Sequence, residues 1–518
     1  MKLDKKQFEL IKALGALNFT NPFLEERVKL EKLILGAEFS YAGEVWHIHE
    51  DKQHAEKNLF KIIQLAEWNS NDLREKIING LKLDNKIIQA YENLVIYHLF
   101  EKYRQNFTDL LDKDIAKCNF SFYNEFSDDY KYFLTSLKNI KGHLQYNLRR
   151  TFEIFFQIHR AFHYIFHSII GSSLAIAKLR ADIWQSIFSC DIYRYNRSLY
   201  DKMNNISTLI MGPSGTGKEL IARAIALSQY LPFNETNYQF KEDYKKQFHP
   251  LHLSAMPATL IESELFGHLK GSFSGAVTNR MGRMENCSNY GTVFLDEIGE
   301  INHEIQVKLL RLLQDRTFCR IGDNEQLPFK GKILTATNRN LLNEIEEGTF
   351  RQDLYYRLCS DIIITPNLQQ QLVNSSEDEL YNIINFISKR VATESEAEWL
   401  TKDTIKAIKN GVGLNYNWPG NFRELEQCVR NVLIRGDYVP QRHHNHTNKQ
   451  IAIKNSELSK NIPKIESGEL SADELLNLYC YISHSNTNNY VKSAEVLQLD
   501  RRTITKRVQN YLADNNIK

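Results

Sequence analysis

The feature that most constrains this chain is GPSGTGKE at 212–219, set between the strand-like TLIM and ELIARAIAL, whose apolar spacing is helical. A strand, a Gly-rich turn ending in Gly-Lys and a helix, in that order, make a cradle for phosphates. The glycines let backbone N–H groups turn inward, the helix N-terminus favours negative charge, and Lys218 reaches the terminal phosphates. Gly212, Pro213, Ser214, Gly215, Thr216, Gly217, Lys218 and Glu219 are therefore the expected nucleotide-binding residues. Glu219 stands where a Ser or Thr hydroxyl usually ligates Mg²⁺. The metal must then rely on nucleotide oxygens, water and an acid from elsewhere.

GTVFLDEIGE at 291–300 offers that acid. Its apolar run ends in Asp296 and Glu297, so both carboxylates emerge at the C-terminal edge of a parallel sheet, beside the phosphate loop. Asp296 is expected to hold Mg²⁺, through water, and Glu297 to orient the attacking water. KILTATNRN at 332–340 is another strand ending in polar residues, from which Asn338 can contact the γ-phosphate or the water. FRQDLYYRL at 350–358 puts Arg351 and Arg357 close together on a helix. Either Arg351 pairs with acids on its own helix, or one or both guanidinium groups enter a neighbouring subunit's site and offset transition-state charge.

A length of 518 residues implies several domains. Residues 1–160 carry apolar positions at helical spacing and few Gly or Pro, and read as a helical regulatory domain whose ligand is not legible. In 161–368, short apolar runs (208–211, 293–295, 332–336) alternate with helical stretches (219–229, 304–314), the pattern of an α/β layer with a parallel sheet. Residues 369–438 read as a helical lid. Residues 439–470 are polar and read as a linker; His443, His444 and His446 lack ordered Cys or carboxylate partners and suit that linker better than a metal site.

The seven cysteines contain no CxxC pair, which fits a reducing compartment, and the N-terminus mixes acids and bases unlike a signal peptide. The apolar stretch 161–177 is broken by His163 and His167, so a cytoplasmic protein without a membrane span is expected.

The net charge of +2 is no nucleic-acid signature, so any DNA contact must come from a local patch. From 490 to 518 there are six basic and three acidic residues. NYVKSAEVLQLDRRTITKRVQNYL at 489–512 reads as helix, tight turn, helix, within a domain at 471–518. Ala494, Val496 and Leu497 are expected to pack inward, with Asp500 capping the second helix. Arg501, Arg502, Thr503, Lys506 and Arg507 are then offered to double-stranded DNA.

Together these segments resemble the sigma-54-dependent transcription activators, or bacterial enhancer-binding proteins, of the AAA+ ATPase class. The resemblance runs over residues 165–433, and the C-terminal segment is similar to the Fis-type helix-turn-helix. Glu after the loop Lys is usual in that family. ESELFGHLKGSFSGA at 262–276 resembles its GAFTGA loop, which engages the sigma factor when ATP is turned over. Here Gly271, Ser272, Phe273, Ser274, Gly275 and Ala276 occupy it, with Ser272 for Ala and Ser274 for Thr. Glycines at both ends suit a mobile, Phe-tipped projection; a buried Phe in an ordinary turn is the other reading. His252 in PLHLSAM stands where the family has an Asn that restrains the catalytic glutamate, and protonation of a His there would make the switch pH-sensitive. Arg423 in WPGNFREL matches the second nucleotide sensor of the lid.

The resemblance implies an α/β AAA+ P-loop ATPase core with a helical lid, between a helical N-terminal domain and a helix-turn-helix. It further implies an activator that binds upstream DNA, assembles into a ring, usually a hexamer, and spends ATP on remodelling sigma-54 RNA polymerase. The alternatives are a DNA-binding regulator of the same fold acting without sigma-54, as a repressor, and a general AAA+ remodeller.

Overall fold

The computed structural model describes residues 3–40, 52–111, 113–115, 118–135, 146–372, 377–440, 467–487 and 489–514. The chain divides into two compact units, Met1–Pro440 and Gln441–Lys518.

The first unit is built on a five-stranded sheet. We number its strands β1 (Thr208–Met211), β2 (Phe248–His252), β3 (Thr292–Asp296), β4 (Lys332–Thr337) and β5 (Asp361–Ile364). Their spatial order is β5-β1-β4-β3-β2, and all four pairings are parallel. Central strands of such a sheet are covered on both faces and read as continuous apolar runs. β1, β3 and β4 satisfy that rule and coincide with the three strands expected from sequence. β2 and β5 escaped because they are edges. β2 reads FHPLH, where a Pro is tolerated by an outer strand, and β5 leaves Ile362 and Ile364 largely exposed.

Parallel neighbours need crossover connections. The first is the P-loop helix Lys218–Leu227; His303–Asp315, capped by Asn302, lies between β3 and β4. Alternation of strand and helix leaves every strand's C-terminal end at one edge, where the loops carrying the site residues gather.

The boundary expected at residue 160 falls inside a single helix, Leu148–Ser168. One face of that helix closes the N-terminal helical layer and another lies along the P-loop helix. Phe107, Phe120, Phe126, Phe152 and Phe156 share one apolar core with Phe233, Phe240 and Tyr244, so the helical layer and the sheet region are packed together. Within the layer, helix Lys5–Ala16 crosses Asn85–Lys102 closely. A Cβ on Gly15 would lie 2.8 Å from Cβ of Asn93, so the crossing requires glycine.

The described residues of the lid expected at 369–438 are mostly helical. Helices Glu377–Val391, Glu394–Asn410 and Asn421–Arg435 enclose Leu368, Ile383, Leu400, Trp418 and Leu425. Most of the expected linker, with His443, His444 and His446, lies outside the described residues. In the second unit, helices Ala472–Thr487, Tyr490–Leu497 and Arg501–Asp514 pack around Cys480, Ile504 and Val508. No helix among the described residues is long and apolar enough to cross a membrane.

Candidate functional site

The phosphate loop leaves β1 at Met211 and enters its helix at Lys218. Two glycines in it are obligatory. Gly212 has φ +149°, and a Cβ there would meet Oγ1 of Thr365 at 2.0 Å; Gly215 has φ +77°, and its Cβ would meet the Gly420 carbonyl at 2.5 Å. A side chain at either position would fill the cradle or push the lid away. Thr216 anchors the loop from within, its hydroxyl 2.9 Å from Pro213 O and 2.6 Å from Oγ1 of Thr365. Ser214, Pro213 and Glu219 are exposed on its rim.

Lys218 Nζ donates to the Gly212 and Pro213 carbonyls at 3.0 and 3.2 Å. Burial pushes its ammonium below the usual lysine range, while the Glu297 and Asp296 carboxylates act in the opposite direction. The loop lysine and the acid pair, nearly eighty residues apart in sequence, thus share one electrostatic environment.

Asp296 ends β3, and Glu297 follows in the left-handed region at φ +57°. That turn sends the two carboxylates to different partners. Asp296 Oδ1 accepts from the Glu297 backbone N–H at 3.1 Å, and Glu297 Oε2 accepts from the backbone N–H of Asn338 at 3.1 Å. Asn338 therefore meets the acid pair through its main chain, while its side chain is exposed.

His252 does not contact the glutamate, as the switch reading expected. Parallel pairing sets it opposite Asp296, and its Nδ1 donates to Asp296 Oδ2 at 3.0 Å. The β2–β3 register decides the partner: Glu297 is one residue past the last pair.

The lid reaches the loop through helix Asn421–Arg435. Arg423 Nη1 donates to Ser214 Oγ at 3.1 Å, the Phe422 N–H to Gly215 O at 3.1 Å, and Asn421 Nδ2 to Ser214 O at 2.9 Å. Asn421 is buried, sits at φ +52°, and its Oδ1 also accepts the buried Leu368 N–H at 3.0 Å. Asn421 and Thr365 were missed from sequence. An Asn directly after Pro-Gly, where a left-handed backbone is favoured, is the only signal that pointed to the first.

Arg351 and Arg357 occupy the two ends of the short helix Gln352–Leu358. Arg351 is held at home, donating to both carboxylate oxygens of Asp353 at 3.0 and 2.6 Å. Arg357 is exposed, and among the described residues no carboxylate pairs with its side chain.

The loop at 271–276 extends from a short hairpin, Gly267–His268 with Arg280–Met281. Gly271 and Gly275 take positive φ, and the Gly271 N–H donates to Ala276 O at 2.8 Å, closing the loop. Phe273 is not its free tip. It is half-buried, edge-on to His268 with ring centroids 5.0 Å apart, and Ala276 is buried; the exposed apolar side chain is Val277. Ser272 is half-buried, its Oγ donating to Leu269 O at 2.8 Å, and Ser274 is exposed.

In the second unit, Gln498 at φ +53° ends the first helix of the tight pair, and Asp500 Oδ1 accepts the Arg502 N–H at 2.7 Å. Arg501, Arg502, Thr503 and Lys506 are exposed along the following helix. Arg507 is half-buried and donates to Asp473 at 2.6 Å and Asn477 at 3.2 Å, fastening the first helix of the unit to the last. Val496 is 68% exposed instead of packing inward, whereas Ala494 and Leu497 face the core. A period of 3.6 turns Val496 about 100° away from its neighbours.

The site is shaped for a nucleoside triphosphate: a glycine cradle that a Cβ would block, a lysine between it and two carboxylates, and a lid arginine over the rim. Among the described residues no group of three His, Cys, Asp or Glu could hold a metal ion. Asp296 at the end of β3 offers a carboxylate of the kind that suits Mg²⁺, which dehydrates reluctantly and takes most of its ligands from phosphate and water with one or two carboxylates.

Comparison with known proteins agrees with this chemistry. The family model described as the Sigma-54 interaction domain matches residues 192–363. A Nif-specific regulatory protein of Azotobacter vinelandii is 40% identical over 233 residues, which cover 45% of this chain and 40% of the relative. A signal-transduction and transcriptional-control protein of Clostridium beijerinckii is 30% identical over 514 residues, 99% of this chain and 70% of the relative. Among solved structures, NtrX from Brucella abortus in complex with ATP aligns at 21% identity over 73% of this chain and 80% of that one, with a TM-score of 0.39. The chain spans less than half the length of the Nif-specific regulators it matches.

Proposed function

The chain belongs to the sigma-54-dependent activators of the AAA+ ATPase class, and from that premise we propose that it is a cytoplasmic, DNA-bound activator that opens sigma-54 promoters by hydrolysing ATP. One observation carries the reading: Lys218 lies in the field of Asp296 and Glu297 inside a glycine cradle that the lid arginine Arg423 touches.

The reaction is attack of water on the γ-phosphate. Loop N–H groups and Lys218 hold the phosphates, which fixes the geometry for in-line attack. Glu297 orients and polarises the water, and the Asn338 N–H holds its second oxygen so that the carboxylate keeps one direction. Mg²⁺, when bound by Asp296 with phosphate oxygens and water, would offset the negative charge of the phosphates. His252 positions Asp296. In a homo-oligomeric ring, most simply a hexamer, Arg357 reaches the neighbouring subunit's nucleotide. Arg351 follows only if it leaves Asp353.

Turnover is coupled to the loop at 271–276. Phe273 swings from His268 and presses, with Val277, on the sigma-54 RNA polymerase closed complex. The helix-turn-helix holds the ring upstream through Arg501, Arg502, Thr503 and Lys506 on double-stranded DNA. The test is open-complex formation in vitro with sigma-54 polymerase, the full chain and ATP on a promoter carrying its site. Strand opening that requires ATP supports the proposal. DNA binding and ATP turnover without opening would overturn it in favour of a regulator acting without sigma-54.

A further inference from the structure

Thr365 belongs to none of the motifs that point to the phosphate loop, yet its hydroxyl reaches into it. It is the first residue after β5, and its backbone N–H donates to Met211 O at 2.8 Å, extending the bonding of β5 to β1 by one step. Its contact with the loop is inaccessible at both ends: Thr365 is 2% and Thr216 7% exposed.

Counting protons fixes the direction of the hydrogen bonds here. Thr216 Oγ1 is 2.9 Å from Pro213 O, a carbonyl that only accepts, so the single hydroxyl proton of Thr216 lies on that bond. Thr216 has only lone pairs left for Thr365, whose Oγ1 stands 2.6 Å away and must be the donor. The chain therefore runs one way, from the Thr365 hydroxyl to the Thr216 hydroxyl to the Pro213 carbonyl. Bonds in such a chain polarise one another, so a donor to Thr216 strengthens the bond that Thr216 makes to Pro213.

Pro213 O has a second donor, Lys218 Nζ at 3.2 Å, which also donates to Gly212 O at 3.0 Å. Phosphate oxygens carry charge and are stronger acceptors than carbonyls, so a bound nucleotide draws Nζ toward itself. Of the two donors, Thr216 then remains on Pro213 O. The peptide that carries this carbonyl also carries the Ser214 N–H, in one plane and pointing the opposite way. Holding Pro213 O on Thr216 thus fixes where the Ser214 N–H points, in a loop whose N–H groups must face the phosphates.

Thr365 also stands at the hinge of the lid. Three residues on, Leu368 enters the lid core, and its N–H is held by Asn421, whose amide donates to Ser214 O. The phosphate loop is gripped on one side from the end of β5 and on the other from the lid. A loop held on both sides is ordered before the nucleotide arrives, and less conformational freedom is lost on binding.

We propose that Thr365 is a positioning residue for the nucleotide: its hydroxyl donates to Thr216, fixes the Pro213–Ser214 peptide, and so holds the phosphate loop in the form that accepts phosphate. It touches no reacting atom. The assignment rests on the nucleotide site described above.

The test compares Thr365→Ala, which removes the hydroxyl and adds nothing, with Thr365→Ser, which keeps it and loses a methyl. Thr365→Val is unsuitable, because a methyl would replace an oxygen 2.6 Å from Thr216 and press on Gly212. ATP binding to the full chain is read by calorimetry, and phosphate release gives KM and kcat. Thr365→Ala should weaken ATP binding about threefold to tenfold, the worth of one buried hydrogen bond, and Thr365→Ser should stay within about twofold of the wild-type chain. The cradle holds substrate and transition state alike, so in Thr365→Ala KM should rise by more than kcat falls. Thr216→Ala and the double variant then show whether Thr365 acts through Thr216. Two hydroxyls in series predict a double variant that binds ATP within about twofold of Thr216→Ala, whereas independent contributions to the fold would multiply. Urea midpoints show which variants are folded; should either alanine variant fail, cysteine takes its place, similar in size and a weak donor. Unchanged ATP affinity in Thr365→Ala, equal losses in the Ala and Ser variants, a fall in kcat larger than the rise in KM, or multiplied losses in the double variant would overturn the role of Thr365. Failure of the nucleotide site itself would look different: no ATP binding by the wild-type chain.

Discussion

Replacing Asn421 tests the latch between the lid and the phosphate loop. Its amide does two tasks, donating to Ser214 O at 2.9 Å and accepting the Leu368 N–H at 3.0 Å, and both lie in a region where Asn421 is 4% and Leu368 0% exposed. Asn421→Gly keeps the backbone at φ +52° without strain, so the loss is that of the side chain alone. The missing bond to Ser214 is worth about 0.5–1.5 kcal/mol, and the orphaned Leu368 N–H costs about 1–3 kcal/mol. The expected destabilisation of the first unit is therefore about 2–4 kcal/mol. Urea unfolding of the full chain followed by circular dichroism reads it, and calorimetry with ATP reads the second consequence, weaker binding because Arg423 is no longer held over Ser214. Asn421→Asp separates the two tasks: it keeps the acceptor for Leu368 but turns an oxygen toward Ser214 O. It should retain part of the stability yet bind ATP as poorly as the Gly variant. A loss below about 0.5 kcal/mol for Asn421→Gly would refute the reasoning.

Other measurements check separate parts of the account. His98 and His159 are both pushed down to about 4, first of all by burial. A depressed histidine takes up its proton in the unfolded chain first, so stability is full above about pH 6.5 and falls as pH drops toward 4, by about 2 kcal/mol per histidine at pH 5; His159→Phe should shrink the difference between urea midpoints at pH 7 and pH 5, and an unchanged difference would contradict this. Arg502→Ala and Lys506→Ala should each lower the slope of log affinity against log salt by about 0.9 in DNA-binding anisotropy. Arg507→Ala should instead lower the melting temperature of the second unit, because it cuts the bonds to Asp473 and Asn477; a salt slope falling as it does for Arg502→Ala would return Arg507 to the DNA. Phe273→Ala should abolish open-complex formation while ATP turnover persists, and strand opening by that variant would remove the loop from the mechanism.

What was legible in the sequence follows from burial. β1, β3 and β4 are covered on both faces, so their apolar runs announce them, and the phosphate loop is local enough to be read whole. Of the edge strands, β2 hides two histidines and a proline in five residues, and β5 is a four-residue strand whose Ile362 and Ile364 are exposed. Features set by register or by distant backbone were not legible. His252 meets Asp296 because two parallel strands align there, and Asn421 serves carbonyl and N–H groups that are neighbours only after folding. Val496 and the intramolecular partners of Arg507 escaped for a simpler reason: a helix exposes and buries by angle, and composition alone does not tell which side chain turns toward its neighbours.

The central claim is that a nucleotide between Lys218 and the Asp296–Glu297 pair is turned over by water that Glu297 orients. Phosphate release by the purified full chain, measured with and without its DNA, tests it most directly when paired with ATP binding to Glu297→Gln. The account predicts release by the wild-type chain, and in Glu297→Gln retained binding with turnover reduced by about 10²–10⁴. Near-normal turnover in Glu297→Gln, or none by the wild-type chain in any oligomeric form, would contradict it.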